Sequence, residues 1–150
     1  MKIYFKSFSE LTNLEIFEIF RVRTQVFIVE QNCPYQDIDE IDKTCLHVFM
    51  KNESGEVVAY SRVFNRLLDK KISQIGRVLT TVRGENLGYK IFDQAIKVAL
   101  DELDAEKIYI EAQVYAIDFY KKFGFEVVSE EFLEDDIPHV RMELKKSKVD

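Results

Sequence analysis

The chain opens with alternation: Met1-Lys2-Ile3-Tyr4-Phe5-Lys6 places apolar residues on every second position and predicts a strand. Thr12-Asn13-Leu14-Glu15 then forms a capping box, in which the threonine accepts from the backbone three residues on and the glutamate reaches back. A helix starts there. Leu14, Phe17, Phe20, Thr24 and Phe27 recur every three or four residues and predict its apolar face, with Glu15, Glu18 and Arg21 nearer water. Arg21 and Arg23 read as solvated helix charges in preference to ligand contacts. Residues 31–43 form a polar loop, with Pro34 closing off the helix and Asp37, Asp39, Glu40 and Asp42 packed together. The loop reads first as a solvated acidic segment and second as a rim that attracts amines.

Three strands follow, over residues 45–51, 57–65 and 71–81, joined by Asn52-Glu53-Ser54-Gly55-Glu56 and by residues 66–70. Such short loops imply antiparallel hairpins. Next come a turn over residues 83–88 and a helix from Tyr89, with Leu87, Ile91, Ala95, Val98 and Ala99 on one face. Residues 107–112 predict another strand, and residues 116–122 a short helix that Gly124 ends in a left-handed conformation. Residues 126–129 and 139–144 predict two last strands around an acidic connection punctuated by Pro138. The order β, α, three β, α, β, α, β, β, with no internal repeat, is that of a mixed α/β fold in a single domain over residues 1–150.

Composition narrows the function. The net charge of −6 argues against a nucleic-acid partner, whose phosphates draw on clustered Lys and Arg, and favours a cationic small substrate. No run approaches a membrane span or the apolar block of a signal peptide. Cys33 and Cys45 are too few for a disulfide scaffold, and with His47 and His139 they match no zinc spacing, so no metal and a reducing cytoplasm are expected. The acidic loop lacks the glycine and oxygen-ligand pattern of a calcium site.

The turn after the third hairpin strand carries the most chemistry. Unbonded N–H groups at a helix start sit at the positive end of the macrodipole and can hold phosphate oxygens. Gly84 and Gly88 leave the backbone open, Asn86 suits a left-handed turn position, and Arg83 adds a charged fork. A purely structural turn is the competing reading. Neither G-x-G-x-x-G nor G-x-x-x-x-G-K-[ST] is present, which argues against Rossmann and P-loop enzymes.

A second segment joins the first: Glu111-Ala112-Gln113 leaves a strand, and Tyr120-Lys121-Lys122-Phe123-Gly124-Phe125 closes the short helix behind it. Together with the turn, it resembles the GNAT superfamily of N-acetyltransferases. The superfamily signature R/Q-x-x-G-x-G/A falls on Arg83, Asn86 and Gly88, with Asn86 in place of the middle glycine. The ElaA-like branch is similar over Val29-Glu30-Gln31-Asn32-Cys33-Pro34-Tyr35-Gln36-Asp37-Ile38-Asp39, Ile75-Gly76-Arg77-Val78, Ala112-Gln113 and Glu134-Asp135-Asp136-Ile137-Pro138-His139. The connection between Arg77 and Arg83 is shorter than that branch leads one to expect.

The resemblance implies a mostly antiparallel mixed sheet, splayed between its fourth and fifth strands and flanked by helices. It also implies acetyl-CoA as cosubstrate and a small-molecule or peptide amine as acceptor, acetylated by direct attack. The alternative is a non-catalytic acyl-CoA-binding regulatory domain. Val78, Leu79 and Thr80 would offer backbone groups to the pantetheine arm and acetyl carbonyl. Arg83, Gly84, Glu85, Asn86, Leu87 and Gly88 would hold the diphosphate.

Tyr120 resembles the superfamily's tyrosine beside the coenzyme sulfur and is the preferred acid for the leaving thiolate, against a packed aromatic. Imidazole ordinarily titrates nearest neutrality, which brings in both histidines. His139 is either a base or binding residue or a structural one, and His47, inside Leu46-His47-Val48-Phe49, reads as a hydrogen-bonded core histidine. Gln113 bonds the pantetheine amides or caps a helix start. Arg77 is an ion-pair partner or a contact for a substrate carboxylate, Glu111 reads first as an ordinary strand carboxylate and second as a group acting through water, and both cysteines pack as small apolar residues. An exposed edge strand would offer a route to a homodimer.

Overall fold

The computed structural model describes residues 1–66 and 68–149, so Leu67 in the predicted 66–70 connection lies outside the described residues. The strands are β1 (Lys2–Ser7), β2 (Leu46–Lys51), β3 (Val57–Arg66), β4 (Asp69–Thr80), β5 (Lys107–Gln113), β6 (Glu126–Val127), β7 (Phe132–Glu134) and β8 (Ile137–Lys145). The α-helices are α1 (Asn13–Arg23), α2 (Leu87–Asp101) and α3 (Ile117–Lys121). One sheet takes the order β1-β2-β3-β4-β5-β8-β6, with β7 paired to β8. The predicted hairpins β2–β3 and β3–β4 are antiparallel.

β4 and β5 run parallel, as a crossover through α2 allows. They pair only at Ile72–Lys107, Ser73–Ile108 and Gln74–Tyr109, although β4 continues to Thr80 and β5 to Gln113. The expected splay is present. A bulge drives it: the β3–β4 register passes from Tyr60–Leu79 to Arg62–Gly76, so Arg77 and Val78 together face Ser61. Arg77 adopts φ 52°, and the extra residue bends β4 away from its neighbour.

Two cores flank the sheet. On one side α2 buries Leu87, Ile91, Phe92, Ala95, Val98 and Ala99 against β2–β5 and β8, the face its spacing predicts. On the other side α1 packs Ile19 and Val22 onto Phe49, Tyr60 and Leu79.

The face predicted for α1 is corrected. Leu14 and Phe17 are 78% and 61% exposed, while Glu15, Ile19, Val22 and Arg23 point inward. The helix is apolar on both sides, so spacing alone selects no face; tertiary ion pairs do. Glu15 completes the predicted capping box with Thr12 and also meets Lys6 at 3.0 Å and Lys51 at 2.9 Å.

The solvated readings of Arg23 and of the acidic loop are corrected together. Arg23 is fully buried, with Nε 3.0 Å from Asp37 Oδ2 and Nη2 3.1 Å from Asp42 Oδ2, and it also donates to the Asp37 carbonyl. Arg62 bonds Asp39 at 2.7 Å and Asp42 at 3.1 Å. Arg77 Nη2 donates to the Asp37 carbonyl at 3.0 Å, and its Nε stands 2.7 Å from Asp37 Oδ1 without hydrogen-bond alignment. Arginines from α1, β3 and β4 thus meet three loop aspartates, and the loop is a wall held by buried charge. Its aspartates are consumed internally, which removes the rim of free charge proposed for amines.

The acidic connection before β8 contains β7, which the sequence reading missed, and Pro138 lies within β8 opposite Leu133. Asp135 and Asp136 take φ 51° and 62° in the tight turn between β7 and β8. Among the described residues no helix is long and apolar enough to cross a membrane.

Candidate active site

The turn between β4 and α2 forms from local rules. β4 ends at Thr80, and α2 begins at Leu87, two residues before the predicted Tyr89. Asn86 is its N-cap at φ 59°, ψ 26°, and Gly84 sits at φ 84°, so the left-handed demand falls on the residue types that tolerate it. No side chain caps the helix, which leaves the first-turn N–H groups open at the positive end of the dipole. A Cβ on Gly88 would stand 3.8 Å from Phe119, an ordinary contact, so packing within the chain does not demand glycine there.

A cleft of about 1050 Å³ opens where β4 and β5 part. It brings Val78, Leu79, Thr80, Arg83 and Gly88 together with Gln113, Tyr120 and His139. Gly84, Glu85 and Asn86 lie in the exposed turn beside it, outside its lining. The side chains of Leu79 and Leu87 are buried in the cores, so these two residues can contribute only backbone groups to a ligand.

Tyr120 stands on α3 against Phe92, Phe119 and Phe125, with ring centroids 4.9, 5.2 and 6.4 Å away. Burial, helped by Tyr115, pushes its phenol up to about 12, and among the described residues its hydroxyl has no hydrogen-bond partner. A protonated donor therefore faces the cleft. His139 Nδ1 donates to the Ile137 carbonyl at 2.7 Å, which leaves Nε2 as the lone-pair nitrogen of the neutral ring. That nitrogen is 3.6 Å from Glu134 Oε2, and the ring stacks on Phe132 at 6.0 Å. Burial, with the Glu111 charge adding to it, raises the Glu134 carboxyl above its ordinary range.

The profile of the Acetyltransferase (GNAT) domain matches residues 13–146. The chain belongs to the GNAT acetyltransferase family. It is 37% identical to protein ElaA of Escherichia coli over 139 residues, covering 89% of this chain and 90% of that protein. It is 36% identical to a UPF0039 protein of Schizosaccharomyces pombe over 148 residues, 97% of each chain. An acyl-CoA N-acyltransferase from Pseudomonas aeruginosa superposes with a TM-score of 0.87 at 33% identity, over 95% of this chain and 99% of the other. Acyl-CoA-dependent acyl transfer is the chemistry that this GNAT membership supports, and ElaA is among the relatives that the chain resembles in both sequence and structure.

In this GNAT chain the far wall of the cleft comes from elements the sequence reading did not bring together. After α1 the chain continues as a wider π-type coil over Thr24–Glu30, whose Val26, Phe27 and Glu30 reach the cleft, followed by Gln31, Cys33 and Tyr35. The Tyr35 hydroxyl donates to Asp37 Oδ1 at 3.1 Å, tying this wall to the buried arginine network. Burial raises the Tyr35 phenol to about 12. Cys33 is a cleft residue and only Cys45 packs in the core, which corrects the shared reading of the two cysteines. Glu134 was legible as part of an acidic segment, but its pairing with His139 depends on the β7–β8 register.

The remaining candidates resolve as follows. Gln113 ends β5 and makes no side-chain cap bond with the turn that follows, and its side chain stands half-buried on the cleft wall. Arg77 is an ion-pair partner. His47 is fully buried: Nε2 donates to the Asp42 carbonyl at 2.9 Å and Nδ1 accepts from the Tyr60 hydroxyl at 2.6 Å. Burial lowers its affinity for a proton, so it is the core histidine that was expected. Asp42, Cys45 and His47 lie within 4.8 Å of one another, but both His47 nitrogens and the Asp42 carboxylate already have protein partners.

Proposed function

We propose that this protein transfers an acetyl group from acetyl-CoA directly to a primary amine of a small molecule or peptide. The observation that carries the reading is the convergence of an uncapped helix start, an unpaired β4 edge and the lone Tyr120 hydroxyl on one cleft. Arg83 and the N–H groups around Asn86 to Gly88 hold the diphosphate, and Val78 to Thr80 offer backbone bonds beside the pantetheine and the acyl carbonyl. Gln113 faces the same arm from β5.

An ammonium acceptor first loses a proton to His139 Nε2, and Glu134 beside it stabilises the imidazolium. The amine nitrogen then bonds the thioester carbon, the C–S bond breaks, and Tyr120 delivers its proton to the departing sulfur. The attacking nitrogen loses its second proton through water to the Tyr120 phenolate, which restores the phenol, and His139 releases the first proton to solvent. No covalent enzyme intermediate forms.

The test is acetyl-CoA binding by calorimetry to wild type and Arg83→Ala, followed by thiol release over a panel of amines with Tyr120→Phe as control. Binding weakened by Arg83→Ala, with turnover dependent on Tyr120, is the expected result. Binding without turnover on any amine would instead favour a regulatory acyl-CoA-binding domain, and absence of binding would overturn the proposal.

A further inference from the structure

Beyond Glu111 the cleft continues into a second cavity of about 700 Å³, which shares Gln74, Gly76, Arg77 and Glu111 with the first. Arg66, at the end of β3, stands half-buried on its wall with the guanidinium 4.2 Å from the Tyr109 ring centroid. Arg62 and Arg77, which line the same cavity, are both taken by aspartates. Among the described residues Arg66 has no carboxylate partner. Its Nη1 donates to Gln74 Oε1 at 2.9 Å, and Gln74 Nε2 donates to Glu111 Oε1 at 3.4 Å.

A neutral amide therefore stands between a cation and an anion that would otherwise pair. Beyond its bonds to Gln74 and Tyr109, Arg66 keeps N–H donors for other partners, and Glu111 keeps most of its acceptor capacity. Arg141, cross-strand from Glu111, turns instead over the Phe132 ring at 5.3 Å. Opposite charges held apart on one cavity wall complement a ligand that carries the same two charges in reverse. Tyr109, Glu111 and Gln113 share one face of β5, and each step between them is roughly 7 Å.

We propose that the acceptor is bipolar: a primary amine on a flexible arm whose other end is a carboxylate, with Glu111 drawing the ammonium toward the splay and Arg66 binding the carboxylate over Tyr109. The separation between the two groups is then roughly 7–14 Å, one to two such steps along β5. This deepens the acyl-transfer reading and rests on it.

The test uses three acceptors with the same six-carbon arm, ε-aminocaproate, hexylamine and hexamethylenediamine, whose far ends are anionic, neutral and cationic. Wild type should rank them in that order by kcat/KM. Arg66→Gln should lower kcat/KM for ε-aminocaproate by about 10- to 100-fold, the range for loss of a charge-assisted bond, and leave hexylamine unchanged within about twofold. Arg66→Glu should invert the preference toward the diamine, and Arg66→Lys should restore part of it. Unchanged acetyl-CoA affinity in each variant shows that the fold and the coenzyme site are intact.

Equal effects of Arg66→Gln on all three acceptors, or a wild type indifferent to the far end, would overturn the proposal. If no acceptor is turned over, the acyl-transfer reading fails separately, and calorimetry of the same three compounds on CoA-saturated protein reads the subsite alone. Carboxylate-dependent binding that disappears in Arg66→Gln upholds the subsite; equal or absent binding overturns it.

Discussion

Asp42→Asn probes the buried charge network at its centre. The Asp42 carboxylate accepts from Arg23 Nη1 at 2.6 Å, from Arg23 Nη2 and Arg62 Nη1 at 3.1 Å each, and from the Asp39 backbone N–H at 3.0 Å. Three arginines face three aspartates, so neutralising Asp42 leaves a net positive charge around Arg23, which has no exposed surface. Removing one partner of such a buried set costs about 3–5 kcal/mol, a large part of the roughly 5–15 kcal/mol that holds a domain folded. With a urea slope of about 2 kcal/mol/M, the midpoint should fall by about 2 M. The chain has no tryptophan, so urea titration followed by far-ultraviolet circular dichroism is the assay. Glu40→Gln is the control: Glu40 lies on the same loop but is 87% exposed and pairs with the exposed Lys43, and it should change stability by less than about 0.5 kcal/mol. Arg23→Met combined with Asp42→Leu restores charge balance and should recover most of the loss. A cost below about 1 kcal/mol for Asp42→Asn would falsify the view that the loop is held by buried charge.

Further outcomes follow from single sites. Tyr120→Phe should reduce kcat for amine acetylation by about 100-fold or more with acetyl-CoA affinity preserved, measured by thiol release and calorimetry. Asn86→Ala should cost about 1 kcal/mol through its left-handed φ of 59°, while Asn86→Gly should be nearly neutral in thermal unfolding. Glu15 is opposed by burial but held by the Thr12 backbone, Lys51 and Lys6, and the net effect lowers its carboxyl from 4.5 to about 2. Its contribution is therefore present above pH 4.5 and is lost as pH falls toward 2; discounted for the partly exposed lysines, it is about 2 kcal/mol. Glu15→Gln should flatten that part of the acid-stability curve, and an unchanged curve would refute the assignment.

Local features were legible because local physics makes them. The Thr12–Glu15 capping box, the inward face of α2, the left-handed Asn86 and the left-handed Gly124 at φ 99° each depend on residues a few positions apart. The turn over residues 83–88 was readable for the same reason, since strand end, glycine, asparagine and helix start are contiguous. Turn-limited hairpins also gave away the antiparallel arrangement of β2, β3 and β4.

What needed the tertiary structure is what joins distant segments. Leu14 and Phe17 scored as core by spacing, yet α1 turns Glu15 and Arg23 inward because Lys6, Lys51, Asp37 and Asp42 await them. The acidic loop looked solvated because a sequence shows its charges and not the three arginines that absorb them. The Glu134–His139 contact and the Arg66–Gln74–Glu111 row come from strand register, which places residues from different strands side by side only after the sheet forms. By itself the sequence determined most of the elements, their caps and the turn between β4 and α2, whose interactions close within a few residues. Which charges neutralise one another, and which are left facing the cleft, was decided by long-range pairing alone.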